Sequence, residues 1–164
     1  MKKITLLTIL SVFTLNYAIA QAKLGHINAQ EILMLMPEYK AAEIDLQKHE
    51  KKLQTQLEAS YAEFQKKEEE FKANESTYDE LIRNDKLNAL QELVNRIQKF
   101  ERDAQSSIQK KQEELLIPIN KKLMDAIQKV SEEGGFTYIF TAEILYSASE
   151  NNDIGPLVKK QLGI

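Results

Sequence analysis

The chain has 164 residues, with 29% charged and only 7% aromatic side chains, five glycines, three prolines, no tryptophan and no cysteine. Such a length suits one compact domain or a small domain with an extension, and charge enrichment with so few turn-formers points to long, mostly wet helices. The missing cysteines exclude disulfides, thiol catalysis and thiolate metal sites, and a net charge of −3, which becomes about −5 once Lys2 and Lys3 are removed with an export signal, argues against nucleic acid as a partner.

Residues 1–20 read as a cleavable export signal. Lys2 and Lys3 form a basic start, Ile4 to Leu15 is nearly all apolar, and Ala18-Ile19-Ala20 fits the small-x-small cleavage pattern. The apolar run is short for a bilayer span and is followed by Gln21, not by a basic stop-transfer cluster. No cysteine stands near the cleavage point to carry a lipid. Cleavage removes Lys2 and Lys3 and leaves 20 basic residues against 25 acidic ones. The expected product is exported, acidic and soluble.

A short extended stretch follows, Lys23-Leu24-Gly25-His26-Ile27-Asn28, with Leu24 and Ile27 as its apolar positions. Asn28 suits an N-cap, with Glu31 placed to reach back in a capping box. Ala29 to Met36 reads as a short apolar helix, which Pro37 ends or restarts. From Glu38 to Ile117 there is no glycine and no proline, which implies extended helical rods. Apolar residues recur at helical spacing through Ile44, Leu46, Leu53, Leu57, Tyr61, Phe64, Phe71 and Tyr78. They recur again through Leu87, Leu90, Val94, Ile97, Phe100, Ala104, Ile108 and Leu115. Gaps of seven mix with gaps of four, so any supercoil should be shallow or locally unwound.

The rods are expected to turn near Thr77 and Tyr78. Thr77-Tyr78-Asp79-Glu80 has capping-box form, which would begin a helix at Tyr78. The midpoint of Pro37 and Pro118, taken as matching breaks at the root, falls at the same place. Asn84-Asp85 is a second candidate. Each arm helix then has about 40 residues, or roughly 60 Å.

Past Pro118 the helix resumes through Leu123, Ile127 and Val130 until Gly134-Gly135 stops it. Phe136, Tyr138 and Phe140 alternate with Thr137, Ile139 and Thr141, which is a strand pattern. Leu145-Tyr146-Ser147-Ala148-Ser149 reads as another short strand, and Asp153 as an N-cap or first-turn acid for a last helix, 154–162. Three short strands make a marginal sheet with exposed edges, and pairing with other copies would cover them. The expected organisation is a body of 21–37 and 118–164 that oligomerises, with a helical-hairpin arm of 38–117 whose tip lies near 74–85. The fold class is α+β, mostly α.

Little here could carry chemistry. His26 lies in a predicted strand, where a packed or partly exposed ring is the ordinary outcome. His49 stands one turn from Asp45, but that pair lacks the further ligands a metal needs. Glu68-Glu69-Glu70 and Glu113-Glu114 read as solvated faces with nearby Lys66, Lys67, Lys110 and Lys111. No catalytic, cofactor-binding or metal-ligating residue is assigned, and an enzyme has no feature behind it. The positive signal is the stripe of large side chains, Tyr39, Tyr61, Phe64, Phe71, Tyr78 and Phe100. A two-helix seam buries one side of each helix and leaves part of such a stripe wet, a surface suited to weak, multivalent capture of unfolded chains.

The ordered set of the 23–28 strand, the short helix, Met36-Pro37-Glu38-Tyr39-Lys40, the long arm and Phe136-Thr137-Tyr138-Ile139-Phe140 resembles the Skp/OmpH family of periplasmic chaperones. Tyr146-Ser147-Ala148-Ser149, Asn152-Asp153-Ile154 and Val158-Lys159-Lys160-Gln161-Leu162-Gly163 continue the likeness, which covers Lys23 to Ile164. The resemblance implies a periplasmic homotrimer with a small β-barrel-like trimerisation body and antiparallel helical-hairpin (coiled-coil) arms around a cavity. It also implies an ATP-independent holdase for unfolded outer-membrane proteins, without cofactors. On this reading Leu24, Ile27, Phe136, Tyr138, Phe140 and Leu145 belong to the trimer body. Leu46, Tyr61, Phe64, Phe71, Tyr78 and Phe100 make cavity or seam contacts. One departure stands out, because the best-known members have basic arms. Here Glu38 to Ile117 carries 14 basic and 18 acidic residues, and Glu68 to Asp85 holds seven acids against Lys72 and Arg83. Membrane or lipopolysaccharide contact through such tips is disfavoured. The competing readings are a periplasmic coiled-coil spacer or adaptor that binds one folded envelope partner, and a carboxylate buffer for metal ions.

Overall fold

A computed structural model of the protein describes residues 22–164, so the export signal expected at 1–20 lies outside the described residues. The order of elements is β1 (Leu24–Ile27), α1 (Ala29–Leu35), α2 (Pro37–Asn74), a 3-10 turn (Glu75–Thr77), α3 (Glu80–Gly134) and β2 (Tyr138–Thr141). Two further 3-10 turns (Ala142–Ile144 and Glu150–Asn152) lead to α4 (Gly155–Leu162). The protein is mostly helical, with a long helical arm and a small strand region. It divides into two units, 22–29 with 126–163, and 30–125. Among the described residues no helix is long and apolar enough to cross a membrane.

In the first unit β1 pairs with β2 in parallel, with Leu24 opposite Tyr138 and Ile27 opposite Thr141. Two close approaches make this possible. Gly135 takes a left-handed φ of 64°, which ends α3 and lets the Phe136 amide donate back to the Ser131 carbonyl at 3.0 Å. The chain then swings Phe136 against Gly134, where a Cβ would lie 2.5 Å from the ring. The other face of β1 is met by Ile154 and Phe136, either of which would stand 3.0 Å from a Cβ on Gly25. Ile27, Ala126, Val130, Ile154 and Val158 form this unit's buried apolar set. Asp153 accepts the Gly155 amide at 2.8 Å from one residue before the cap, which is Ile154, so it is neither the N-cap nor a first-turn acid of α4.

The segment 145–149 is not a strand, which corrects the third strand expected from its composition. Leu145 and Ser149 have extended backbones (φ −100°, ψ 121° and φ −79°, ψ 132°), but 3-10 turns flank them and no ladder partner is available. The open side of β1 is already taken, because the Ile154 amide donates to the His26 carbonyl at 2.9 Å and His26 bridges to Asp153. The His26 ring nitrogen meets the Ser149 carbonyl at 3.1 Å and holds the loop aside. Among the described residues the sheet is therefore an open pair of strands, not a closed barrel.

In the second unit Met36 is extended (φ −64°, ψ 131°), as a residue before proline must be, and Pro37 opens α2 at its first turn. This 38-residue helix runs about 57 Å at 1.5 Å per residue. Asn74 to Tyr78 then break the helical path. The cap expected at Thr77 lies instead at Asp79, whose carboxylate accepts the Ile82 amide at 2.8 Å. Thr77 turns its hydroxyl back to the Asn74 carbonyl at 2.6 Å, so α3 begins at Glu80 and not at Tyr78.

Pro118 does not break the helix as expected; α3 continues through it for 55 residues. A proline inside a helix frees the carbonyl four residues back and crowds it. Here both Pro118 and Glu114 are exposed residues. The buried positions Ile119, Leu123, Ala126 and Val130 keep the helix in place beyond the proline.

Candidate functional site

The covered face of α2 advances through Tyr39, Ala42, Leu46, His49, Leu53, Leu57, Ser60, Phe64, Glu68 and Phe71, always by three or four residues. That step averages close to the 3.6-residue turn, so the stripe stays on one side of a nearly straight helix. Only Ala42 and Phe71 of this row are buried; the rest are half-covered. The row includes His49, Ser60 and Glu68, so the seam is neither continuous nor dry. On α3 the deepest arm positions are Leu93 and Ile97, each 4% exposed.

Polar links join α2 to α3 along the rim of the seam. Glu38 pairs with Lys122, Asp45 with Lys111 at 2.9 Å, and the His49 ring meets the Ser107 hydroxyl at 2.9 Å. Further along, the Tyr61 hydroxyl donates to Glu101 at 2.7 Å and Arg96 donates to Glu63 at 3.1 Å. As the α2 residue number rises, the α3 number falls. These groups are largely in water, where such pairs add little stability but do select a register. The Lys122 and Lys111 ammonium groups hold Glu38 and Asp45 below the ordinary carboxylate range. Hydrogen bonding to Asp45 raises Lys111, and the Glu101 carboxylate raises the Tyr61 hydroxyl. Along α2, Glu63–Lys67, Lys66–Glu70 and Glu68–Lys72 pair at one-turn spacing.

The six arm residues singled out in the sequence take different places. Leu46, Phe64 and Phe100 are half-buried along the seam. Phe71 is buried with its ring centroid 6.0 Å from that of half-buried Tyr78. Tyr61 stands on the rim, 43% exposed, while Ser60 takes the covered position beside it. Near the start of α2, a cleft of about 730 Å³ has an apolar floor of Ala41, Ala42, Leu115 and Ile119, with Glu38, Asp45, Lys48 and Lys122 around it. Ile44 lines it and is half in water. Nothing in this cleft arranges a nucleophile beside a base. Its chemistry is apolar contact with a charged border.

The six residues assigned to the other unit are also mixed. Ile27 is buried, and Phe136 is half-buried with the Lys23 ammonium 4.2 Å from its ring centre. Leu145 is half-buried. Leu24, Tyr138 and Phe140 are exposed, the last two with ring centroids 6.5 Å apart on one face of β2. Tyr146 and Ile144 add to the exposed apolar surface here and were not singled out from the sequence. Leu81 and Ile82, exposed in the first turn of α3, were missed as well. Their signal was present in Asp79, which caps the helix two residues beyond the cap expected at Thr77.

The family model described as "Outer membrane protein (OmpH-like)" matches residues 23–162. Among solved structures, the chain is similar to a candidate outer membrane chaperone (OmpH-like) from Caulobacter crescentus CB15. The identity is 16% and the TM-score 0.79, over 87% of this chain and 85% of that one. At that identity the likeness speaks for the fold alone. No curated protein matches the chain.

Proposed function

We propose that this chain, which belongs to the OmpH-like family, is an ATP-independent holdase that keeps unfolded outer-membrane proteins soluble in the periplasm. The family is non-enzymatic in general, and it contributes the expectation of a chaperone. One observation from the chain itself carries the reading. The α2–α3 seam covers only a narrow, interrupted stripe, so Ile44, Tyr61 and Leu87 remain in water on helices that are otherwise strongly charged. Scattered apolar contacts of this kind hold an extended polypeptide weakly at many points and release it without work. Charged surroundings keep the empty arm soluble.

The finer reading has three parts. The two long helices act as one antiparallel hairpin arm, supported by the opposed order of their polar links. Three copies assemble through the strand-bearing unit, supported by the exposed Leu24, Tyr138 and Phe140 beside an open two-stranded sheet. The arms then enclose a cavity for the client, and the acidic ends disfavour anionic lipid. A urea-unfolded barrel protein diluted into the purified chain without nucleotide tests the activity. Aggregation is suppressed to completion at a fixed ratio of one assembly per client. Undiminished turbidity with several different barrel proteins would end the proposal.

A further inference from the structure

The strand-bearing unit depends on the residue that leads into β1. The Lys23 carbonyl accepts the Thr137 amide at 2.7 Å, and its ammonium donates to the Gly134 carbonyl at 2.7 Å. The same ammonium lies 4.2 Å from the centre of the Phe136 ring. These contacts tie the start of β1 to the end of α3 and to the residues that lead into β2. Ala22 and Lys23 are nevertheless exposed, so the chain just ahead of β1 is open to solvent. An end left free there would let a peptidase work inward to the Lys23 contacts.

The sequence ahead of Lys23 supplies the means to close that end. Cleavage after Ala20, where Ala18-Ile19-Ala20 has the small-x-small pattern, makes Gln21 the first residue of the mature chain. Gln21 lies outside the described residues, and its part is one of covalent chemistry. A glutamine at an amino end carries its own electrophile. Its α-nitrogen reaches its own Cδ through a five-membered ring, a closure strongly favoured over reaction between separate molecules. A terminal amine ionises at about pH 7.7–8.0, so part of it is neutral and nucleophilic at neutral pH.

We infer that Gln21 is a modification site, closed to 5-oxoproline in the mature protein as a cap on the residues that lead into β1. The α-nitrogen attacks Cδ, a new amide C–N bond forms, the bond from Cδ to Nε2 breaks, and the displaced nitrogen leaves as ammonia. Nothing is oxidised or reduced, and no co-reactant is consumed. The resulting lactam has no basic nitrogen, so the terminal charge is lost as it is on acetylation. Aminopeptidases, which need a free α-amine, then find no starting point, and Lys23 keeps its contacts. The inference rests on the reading above that the chain is exported, because cleavage is what exposes Gln21.

The test is mass spectrometry of the mature protein taken from the cells that naturally make it. Lysis in denaturant with formaldehyde and cyanoborohydride dimethylates free amines at once and stops cyclisation during work-up. The expected amino-terminal peptide begins at residue 21, lacks the mass of one ammonia and carries no label on its α-nitrogen. Pyroglutamyl peptidase then removes residue 21 and exposes Ala22. Gln21→Asn, expressed in the same cells, keeps a polar amide but would need a strained four-membered ring. Its end is expected to stay open, labelled and of full mass. With an aminopeptidase, Q21N loses residues ahead of β1 and the unmodified protein does not. Labelled Gln21 as the main species overturns the proposal. So does an amino end at any other residue, including Lys23 after cleavage at Ala20-Gln21-Ala22, or the same loss of ammonia in Q21N. Both proteins should hold an unfolded barrel protein equally. Aggregation in that assay counts against the holdase and leaves the mass result standing, so the two failures are told apart.

Discussion

Replacing Gly25 with alanine should unsettle the strand-bearing unit far more than a methyl group normally would. The added Cβ would stand 3.0 Å from the Ile154 Cγ2 atom and 3.0 Å from the Phe136 ring. Carbon atoms rest at about 3.5–4.0 Å, so one or both neighbours must move. Neither is free to do so. Ile154 is 1% exposed, and Phe136 is confined by Gly134 on one side and the Lys23 ammonium on another. Overpacking a filled core costs about 1–3 kcal/mol. At 1.4 kcal/mol per factor of ten, the loss is roughly five- to 150-fold in an opening equilibrium. The readout is hydrogen exchange at the Ile154 amide, whose bond to the His26 carbonyl reports whether β1 is in place. All variants are compared at one protomer concentration, since association would shift apparent stability. Gly163→Ala is the contrast. Its Cβ meets open space, and the cost there is the left-handed φ of 76°, about 1–2 kcal/mol, felt at the end of α4. An Ile154 amide that exchanges at the unmodified rate in Gly25→Ala would refute the packing argument.

Two further outcomes follow from the arm. Asp45 and Glu38 are held below their ordinary range, so their contribution to helix pairing is complete above that range and fades as pH falls through it, below about pH 4. Lys111 is raised, so its share is complete at neutral pH and is lost only as pH rises past its elevated value. Spin labels on the solvent faces of α2 and α3 should therefore report one unchanging distance from neutral pH to mildly acid conditions and a broader one in strong acid. A distribution that already broadens near pH 6 would contradict this. Asp79→Ala removes the cap of α3 and should cost about 1 kcal/mol, seen as faster exchange of the Ile82 amide, whereas Asp79→Asn largely preserves it. Equal exchange in Asp79→Ala and the unmodified chain would show that the cap is idle.

Much of the fold could be read from residue order because its signals are local. Pro37 can only begin a helix there, Gly134-Gly135 can only end one, and eighty residues without either must be rods. The misreadings have a common physical origin in solvent and partner groups. Whether Pro118 breaks a helix depends on what holds the segment beyond it, and sequence spacing does not record the burial of Ile119 and Leu123. Whether 145–149 becomes a strand depends on whether β1 has an open edge, and Asp153 and Ile154 close it. The arm was legible in period but not in phase. Ser60 and Tyr61 are neighbours, and a shift of one residue moves the aromatic from the seam to the rim. The exposure of Leu81 and Ile82 was hidden for the same reason, since it follows from which residue caps the helix.

The central claim is that weakly covered arms, gathered by a shared base, hold an unfolded barrel protein without nucleotide. Native mass measurement of the mature chain, alone and after mixing with one such client diluted from urea, tests assembly and capture together. The account predicts a mass of three protomers alone and of three protomers plus one client after mixing. A single protomer that stays alone at every concentration and leaves the client to precipitate would contradict it.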